Sequence, residues 1–135
     1  MLNPYLFYNG NCEAAFKYYE KVLGAKIEVM LRSDEAPPSM PPQPGFEKKI
    51  MHASFRVRGV PLMASDGCND KSKFDGLRLA LTVPTEADAR RAFDALADGG
   101  SVQMPLSKTF WSPCYGMVTD RFGLGWMVMV AGPAN

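Results

Sequence analysis

The sequence has little of what metal, disulfide, membrane or nucleic-acid chemistry requires. Of its 135 residues one is histidine, His52, and three are cysteine, Cys12, Cys68 and Cys114. The cysteines are odd in number, widely spaced and form no CxxC pair. That argues against a disulfide framework and points to a reduced, cytoplasmic protein. The longest apolar runs, such as 126–131, fall far short of the roughly 20 residues needed to span a bilayer. Charge of one sign is also missing. Fifteen Lys and Arg stand against fourteen Asp and Glu, a net charge of +1, with the basic residues scattered. A nucleic-acid binder would need a basic stripe, and neither nucleic acid nor membrane is expected as a partner. Met1-Leu2-Asn3-Pro4 lacks a basic region followed by an apolar stretch, so no secretion signal is expected. What is present is ordinary for a globular domain, 47% hydrophobic and 21% charged residues. A chain of this length suits one domain, 1–135, with a core that needs no disulfide or metal to hold it.

Residues 4–9 read Pro-Tyr-Leu-Phe-Tyr-Asn, an aromatic-rich run suited to a buried strand. Asn11 is placed to cap a helix beginning at Cys12. Cys12, Phe16, Tyr19 and Leu23 form one apolar stripe at helical spacing, and Gly24 stands where a left-handed terminating residue belongs. Residues 26–31 alternate as a half-buried strand does. Prolines 37, 38, 41, 42 and 44 make 34–48 an irregular loop, long enough to be a lid or binding loop. Residues 49–58 return to strand character. Strict alternation puts Ile50, His52, Ser54, Arg56 and Arg58 on one face and Met51, Ala53, Phe55 and Val57 on the other. A turn at 59–61 leads to a strand at 62–65, and 66–75 reads as a linker.

The second half repeats the order. Residues 77–83 form a strand. Thr85 caps a helix, with Asp88 at capping-box spacing, and Ala89, Phe93, Leu96 and Ala97 form its stripe. Gly99-Gly100 ends it, and strands follow at 101–106, 115–119 and 124–130. The order is βαβββ twice, in modules 1–70 and 76–135, with Phe16 and Phe93 at matching helical positions and an offset near 77. The expected fold class is therefore α+β, with two tandem βαβββ modules whose mixed sheets curve around a cleft able to take a ligand.

Tyr18-Tyr19-Glu20-Lys21-Val22-Leu23-Gly24 resembles a signature of the vicinal oxygen chelate superfamily, which holds glyoxalase I, bleomycin-resistance proteins and extradiol dioxygenases. His52-Ala53, Leu62-Met63-Ala64-Ser65-Asp66, Thr109-Phe110-Trp111, residues 115–123 and Trp126-Met127-Val128 are similar to its PhnB-like branch, some members of which carry a demethylubiquinone methyltransferase label. The resemblance covers 4–130. It implies paired βαβββ modules, a homodimer and a cleft as the site. Metal-using members hold a divalent ion with His, Gln or Glu on the first and last strands of each module. Here those strands offer residues 4–7, 62–65 and 78–80, and the usual glutamate position falls on Met127. None is a normal divalent-ion ligand, so no metal site and no cofactor are expected.

The candidate site residues are Phe7, His52, Arg56, Trp111, Tyr115 and Met127. His52 reads as a general base or ligand donor, or as a structural histidine within the sheet. Arg56 and Arg58 suit an anion or a solvated edge. Trp111 and Tyr115 flank Ser112-Pro113-Cys114, either stacking on a flat or cationic ligand or anchoring a bend. That tripeptide departs from the branch's usual pattern. Asp66 caps a turn or pairs with ligand. Cys114 has no adjacent group to lower its pKa and reads as an inert thiol. The leading expectation is a metal-independent small-molecule-binding protein with an unidentified ligand. The alternatives are an enzyme, of lyase or isomerase type with His52 as base or metal-dependent with rearranged ligands, and a structural or regulatory dimer whose cleft is vestigial.

Overall fold

Leu6 and Tyr8 of the first strand are buried and Tyr5 and Phe7 are not, because alternate residues of a strand face opposite sides and a single helix covers only one of them. The computed structural model describes residues 1–35, 44–67 and 71–132. It divides into two compact units, Met1–Lys73 and Phe74–Asn135.

The first unit runs β1 (Tyr5–Tyr8), α1 (Cys12–Leu23), β2 (Lys26–Arg32), a 3-10 turn (Ser33–Glu35), β3 (Ile50–Val57) and β4 (Val60–Asp66). Its sheet order is β1-β4-β3-β2, with β1 parallel to β4 and the other pairs antiparallel. The second unit runs β5 (Leu79–Val83), α2 (Glu86–Ala97), β6 (Ser101–Ser107), β7 (Tyr115–Thr119) and β8 (Gly125–Val130). Its sheet order, β5-β8-β7-β6, again sets the first strand parallel to the last. The chain is α+β, built of two modules with one helix and one four-stranded mixed sheet each.

The repeat is sharper in burial than in sequence. The buried residues of α1 are Cys12, Ala15, Phe16 and Tyr19, and those of α2 are Ala89, Ala92, Phe93 and Leu96. One shift of 77 residues maps the first set onto the second. In the first unit Phe16 packs on Phe55 with ring centres 3.9 Å apart, and Tyr8 meets it edge-on at 6.3 Å. Tyr8 and Tyr19 bring their buried hydroxyls to 3.1 Å, so each satisfies the other. In the second unit Phe93 lies directly on the backbone of Gly116, where a Cβ would stand 2.8 Å from its ring.

Several expectations change for physical reasons. Asn11 does not cap α1 with its side chain; its Oδ1 accepts from Asn9 N–H instead. The Cys12 N–H donates at 2.9 Å to Oδ1 of Asp66, which β4 holds beside Tyr8. The other Asp66 oxygen accepts from Ile50 N–H at 2.9 Å. Asp66 is thus neither a turn cap nor free for ligand: it closes the helix start and the β3 start together. Ile50 is buried rather than sharing a face with His52. A bulge at Met51, between the pairs Leu31–His52 and Arg32–Ile50, turns it over. The β3–β4 hairpin turns on Arg58 and Gly59, both at positive φ (49° and 81°), which takes Arg58 out of the strand and puts Val60 and Pro61 into β4. Thr85 caps α2 as expected, its Oγ1 accepting from Asp88 N–H at 3.1 Å, while the Asp88 carboxylate pairs with Arg91. Within 34–48, Asp34 and Glu35 join the 3-10 turn, and backbone bonds Ser33–Lys49 and Asp34–Glu47 pair the two ends. Prolines 37, 38, 41 and 42 and Cys68 lie outside the described residues.

Removing the Asp66 carboxylate leaves two buried donors unpaired. Asp66→Ala is expected to lower stability by about 3 kcal/mol, the order that two unmet buried hydrogen bonds cost. Asp66→Asn, which keeps one acceptor, should fall between, as measured by urea denaturation.

Candidate functional site

With one helix on each sheet, the opposite face carries the side chains available for chemistry. In the first unit that face crosses the sheet in register. Val29, Ser54, Met63 and Tyr5 are successive partners in one row. Leu31 and His52 pair in the next row, as do Phe7 and Ser65. Tyr5 links the rows: its Oη lies 3.2 Å from His52 Nδ1, the two rings stack at 5.8 Å, and Phe7 sits 5.0 Å from Tyr5. Phe7 is 55% exposed, and Val29 and Tyr5 are exposed beside it. His52 Nε2 has no partner among the described residues. The tautomer decides its use. If Tyr5 donates to Nδ1, Nε2 carries the proton and donates; if Nδ1–H donates to Tyr5, Nε2 is a free base. Arg56 is held elsewhere on this face, in an ion pair with Glu28 at 3.0 Å and a bond to Gly59 O at 3.1 Å.

In the second unit the face away from α2 is rich in methionine. Met104, Met117, Met127 and Ala80 form one row across four strands. Tyr115, Met129 and Thr82 form part of the next. The Trp111 ring meets Tyr115 edge-on at 5.3 Å, and Tyr115 is only 5% exposed. Phe110, part of the Thr109-Phe110-Trp111 motif but not among the candidate site residues, is fully exposed and stands edge-on to Trp111 at 4.7 Å. Ser112 locks the bend below them, its Oγ 2.6 Å from Val130 O and 2.8 Å from Cys114 O.

At one end of this sheet lies a cleft of about 450 Å³. Phe74, Asp75, Gly76, Leu77 and Arg78 form one wall, and Thr119, Gly123, Gly125 and Met127 the other. Asp120 shapes the second wall. Its Oδ1 accepts from Phe122 N–H and Leu124 N–H at 2.9 and 3.1 Å, and its Oδ2 from Trp126 Nε1–H at 2.8 Å. Arg78 reaches across to donate from Nη1 to Val118 O at 3.0 Å. Sequence reasoning weighed Arg78 only as a metal-ligand position and met Asp120 only within the 115–123 motif. An aspartate three residues before a glycine was a readable sign of a side-chain-organised turn. The lining of the cleft was not readable, because it joins residues about 50 positions apart.

Neither described cysteine is activated. Burial, then the Asp66 and Glu13 carboxylates, push the Cys12 thiol far above its ordinary pKa. Burial, then Glu86, raise that of Cys114. Among the described residues no group of three or more His, Cys, Asp and Glu side chains could hold a metal ion. No described helix is long and apolar enough to cross a membrane.

Residues 1–129 match the family model described as 3-demethylubiquinone-9 3-methyltransferase. Protein YjdN of Escherichia coli K12 is 36% identical over 138 residues, covering 96% of this chain and 94% of that protein. Protein PA1353 of Pseudomonas aeruginosa superimposes with a TM-score of 0.87 at 44% identity, over 97% of both chains. A PhnB protein of Bacillus cereus, described as a putative 3-demethylubiquinone-9 3-methyltransferase, superimposes with a TM-score of 0.83 at 28% identity over 96% of this chain and 98% of that one. A glyoxylase/bleomycin resistance protein/dioxygenase domain from Frankia, 15% identical over 100% of this chain and 93% of that one, shares the fold at a TM-score of 0.68.

Two measurements check this geometry. Iodoacetamide at pH 8 should leave Cys12 and Cys114 unmodified in the native protein and label both in denaturant, read by peptide mass mapping. Asp120→Ala should cost about 3 kcal/mol in urea denaturation through the donors it strands.

Proposed function

The chain belongs to the PhnB-like family of the vicinal oxygen chelate superfamily, and from that premise we propose that it is a small-molecule-binding protein that works without a divalent metal ion. The observation that carries this reading is the cross-strand pair Ala80–Met127. Metal-using relatives set an ion between the first and last strands of a module, and here those positions meet in register as a methyl group and a thioether. In the first unit the equivalent strands meet as Tyr5–Met63 and Phe7–Ser65. Divalent ions of the hard and borderline kind take carboxylates and imidazoles, and these pairs supply none. They supply apolar and aromatic surface with a few polar tips, the usual lining of an organic ligand site. A homodimeric protein of the cytoplasm completes the proposal.

A second reading is favoured by the Tyr5–His52 contact. In an enzyme, of lyase or isomerase type or the methyltransferase that the family description names, His52 Nε2 would take a proton from substrate while Tyr5 orients the ring.

The deciding experiment measures metal content of the purified protein, then melting temperature against nickel, zinc and manganese. A ligand that binds only the folded state raises the melting temperature. The expected result is no bound metal and no shift. Stoichiometric metal, or a stabilisation abolished by His52→Ala, would overturn the metal-free reading. Catalytic turnover that drops about 100-fold or more in His52→Ala, the range for loss of a general base, would establish the second.

A further inference from the structure

Arg78 is a half-buried cation with little to neutralise it. Its one hydrogen bond among the described residues, from Nη1 to Val118 O, engages a backbone carbonyl rather than a carboxylate. Among the described residues no Asp or Glu lies within ion-pair distance of it. A guanidinium has five donor hydrogens in a planar fork suited to two-point pairing with an acid group. Most of them remain available at the wall of the cleft. The nearby acids do not compensate. Asp120 is committed to Phe122, Leu124 and Trp126, and Asp75 sits exposed on the rim.

The opposite wall is built to admit this side chain. A Cβ at Gly125 would stand 2.9 Å from Arg78 Cγ, 3.0 Å from Arg78 Nη1 and 3.3 Å from Leu77 O. Gly125 is not at positive φ, so what glycine supplies there is space, not backbone freedom. Beyond the guanidinium the lining turns apolar at Met127, which continues through Met117 to Met104. Methionine side chains adapt to ligands of varied shape. At about 450 Å³ the cleft falls within the size range of small-molecule sites.

We propose that this cleft binds an organic anion, a molecule with one carboxylate, sulfonate or phosphate group and an apolar body. The acid group pairs with Arg78 and the apolar part lies along Met127. The inference rests on the ligand-binding reading above and names the ligand class for the second unit. Thr119 adds no competing charge: its Oγ1 donates to Gln103 Oε1 at 3.0 Å.

The test uses two fluorescent probes of similar shape on the full-length protein. One is 8-anilinonaphthalene-1-sulfonate, an anion; the other is N-phenyl-1-naphthylamine, which is neutral. Arg78→Gln should weaken sulfonate binding about tenfold, the scale of one charge-assisted pair, and leave the neutral probe unchanged. Arg78→Lys should restore part of the loss. Gly125→Ala, which displaces the guanidinium, should reproduce the loss, and Asp75→Asn should not. Added salt should weaken the anion alone. Cooperative thermal melts confirm that each variant is folded, since loosened states also bind the sulfonate probe. Sulfonate binding indifferent to Arg78, with the neutral probe still bound, overturns the anion site and leaves the ligand-binding reading standing. Failure of both probes to bind the unaltered protein overturns both.

Discussion

A single helix can bury only one face of a four-stranded sheet, and much of what is distinctive in this protein follows from that shortfall. In each unit the covered face takes the tight aromatic and aliphatic packing: Phe16 on Phe55 in one, Phe93 on Gly116 in the other. The uncovered face is then free to vary. One unit presents Tyr5, Phe7 and His52; the other presents a row of methionines ending at Ala80. A module of this kind keeps its stability and its chemistry on opposite sides of one sheet. The face away from the helix can change residue types without disturbing the core, which is how one fold accommodates many reactions.

Two buried aspartates make that arrangement definite. Asp66 joins the start of α1 to the start of β3 through two backbone N–H groups. Asp120 organises the β7–β8 turn through two backbone N–H groups and the Trp126 indole. Both have their oxygens met by neutral donors, which suffices to hold a carboxylate in a protein interior. Their consequences differ. Asp66 frees Asn11 from capping and locks a bulge beside His52. Asp120 sets Gly123, Gly125 and Met127 along the cleft that Arg78 enters.

Much of the architecture was legible in the residues. The Phe16 and Phe93 stripes, the Gly24 stop and the Thr85 cap are local signals, and each depends on groups within a few positions of one another. The strands expected at 4–9 and 115–119 are present as Tyr5–Tyr8 and Tyr115–Thr119, and strict alternation was expected over 49–58. It failed at Ile50, because a bulge depends on the partner strand, which the strand's own residues do not encode. The site was less legible. His52 was singled out, but its Tyr5 partner stands 47 positions away. Arg56 had the right charge for a ligand contact and is engaged by Glu28 across the β2–β3 pair.

The sequence by itself determined the element order, the twofold βαβββ repeat, the apolar stripe of each helix and the family, since all of these reside in short-range spacing and in runs of residue types. Only the tertiary structure decided which acids are consumed internally, that Arg78 stands at the cleft wall, and which methionines stand side by side. Those outcomes depend on strand register, and register brings together groups that no local pattern relates.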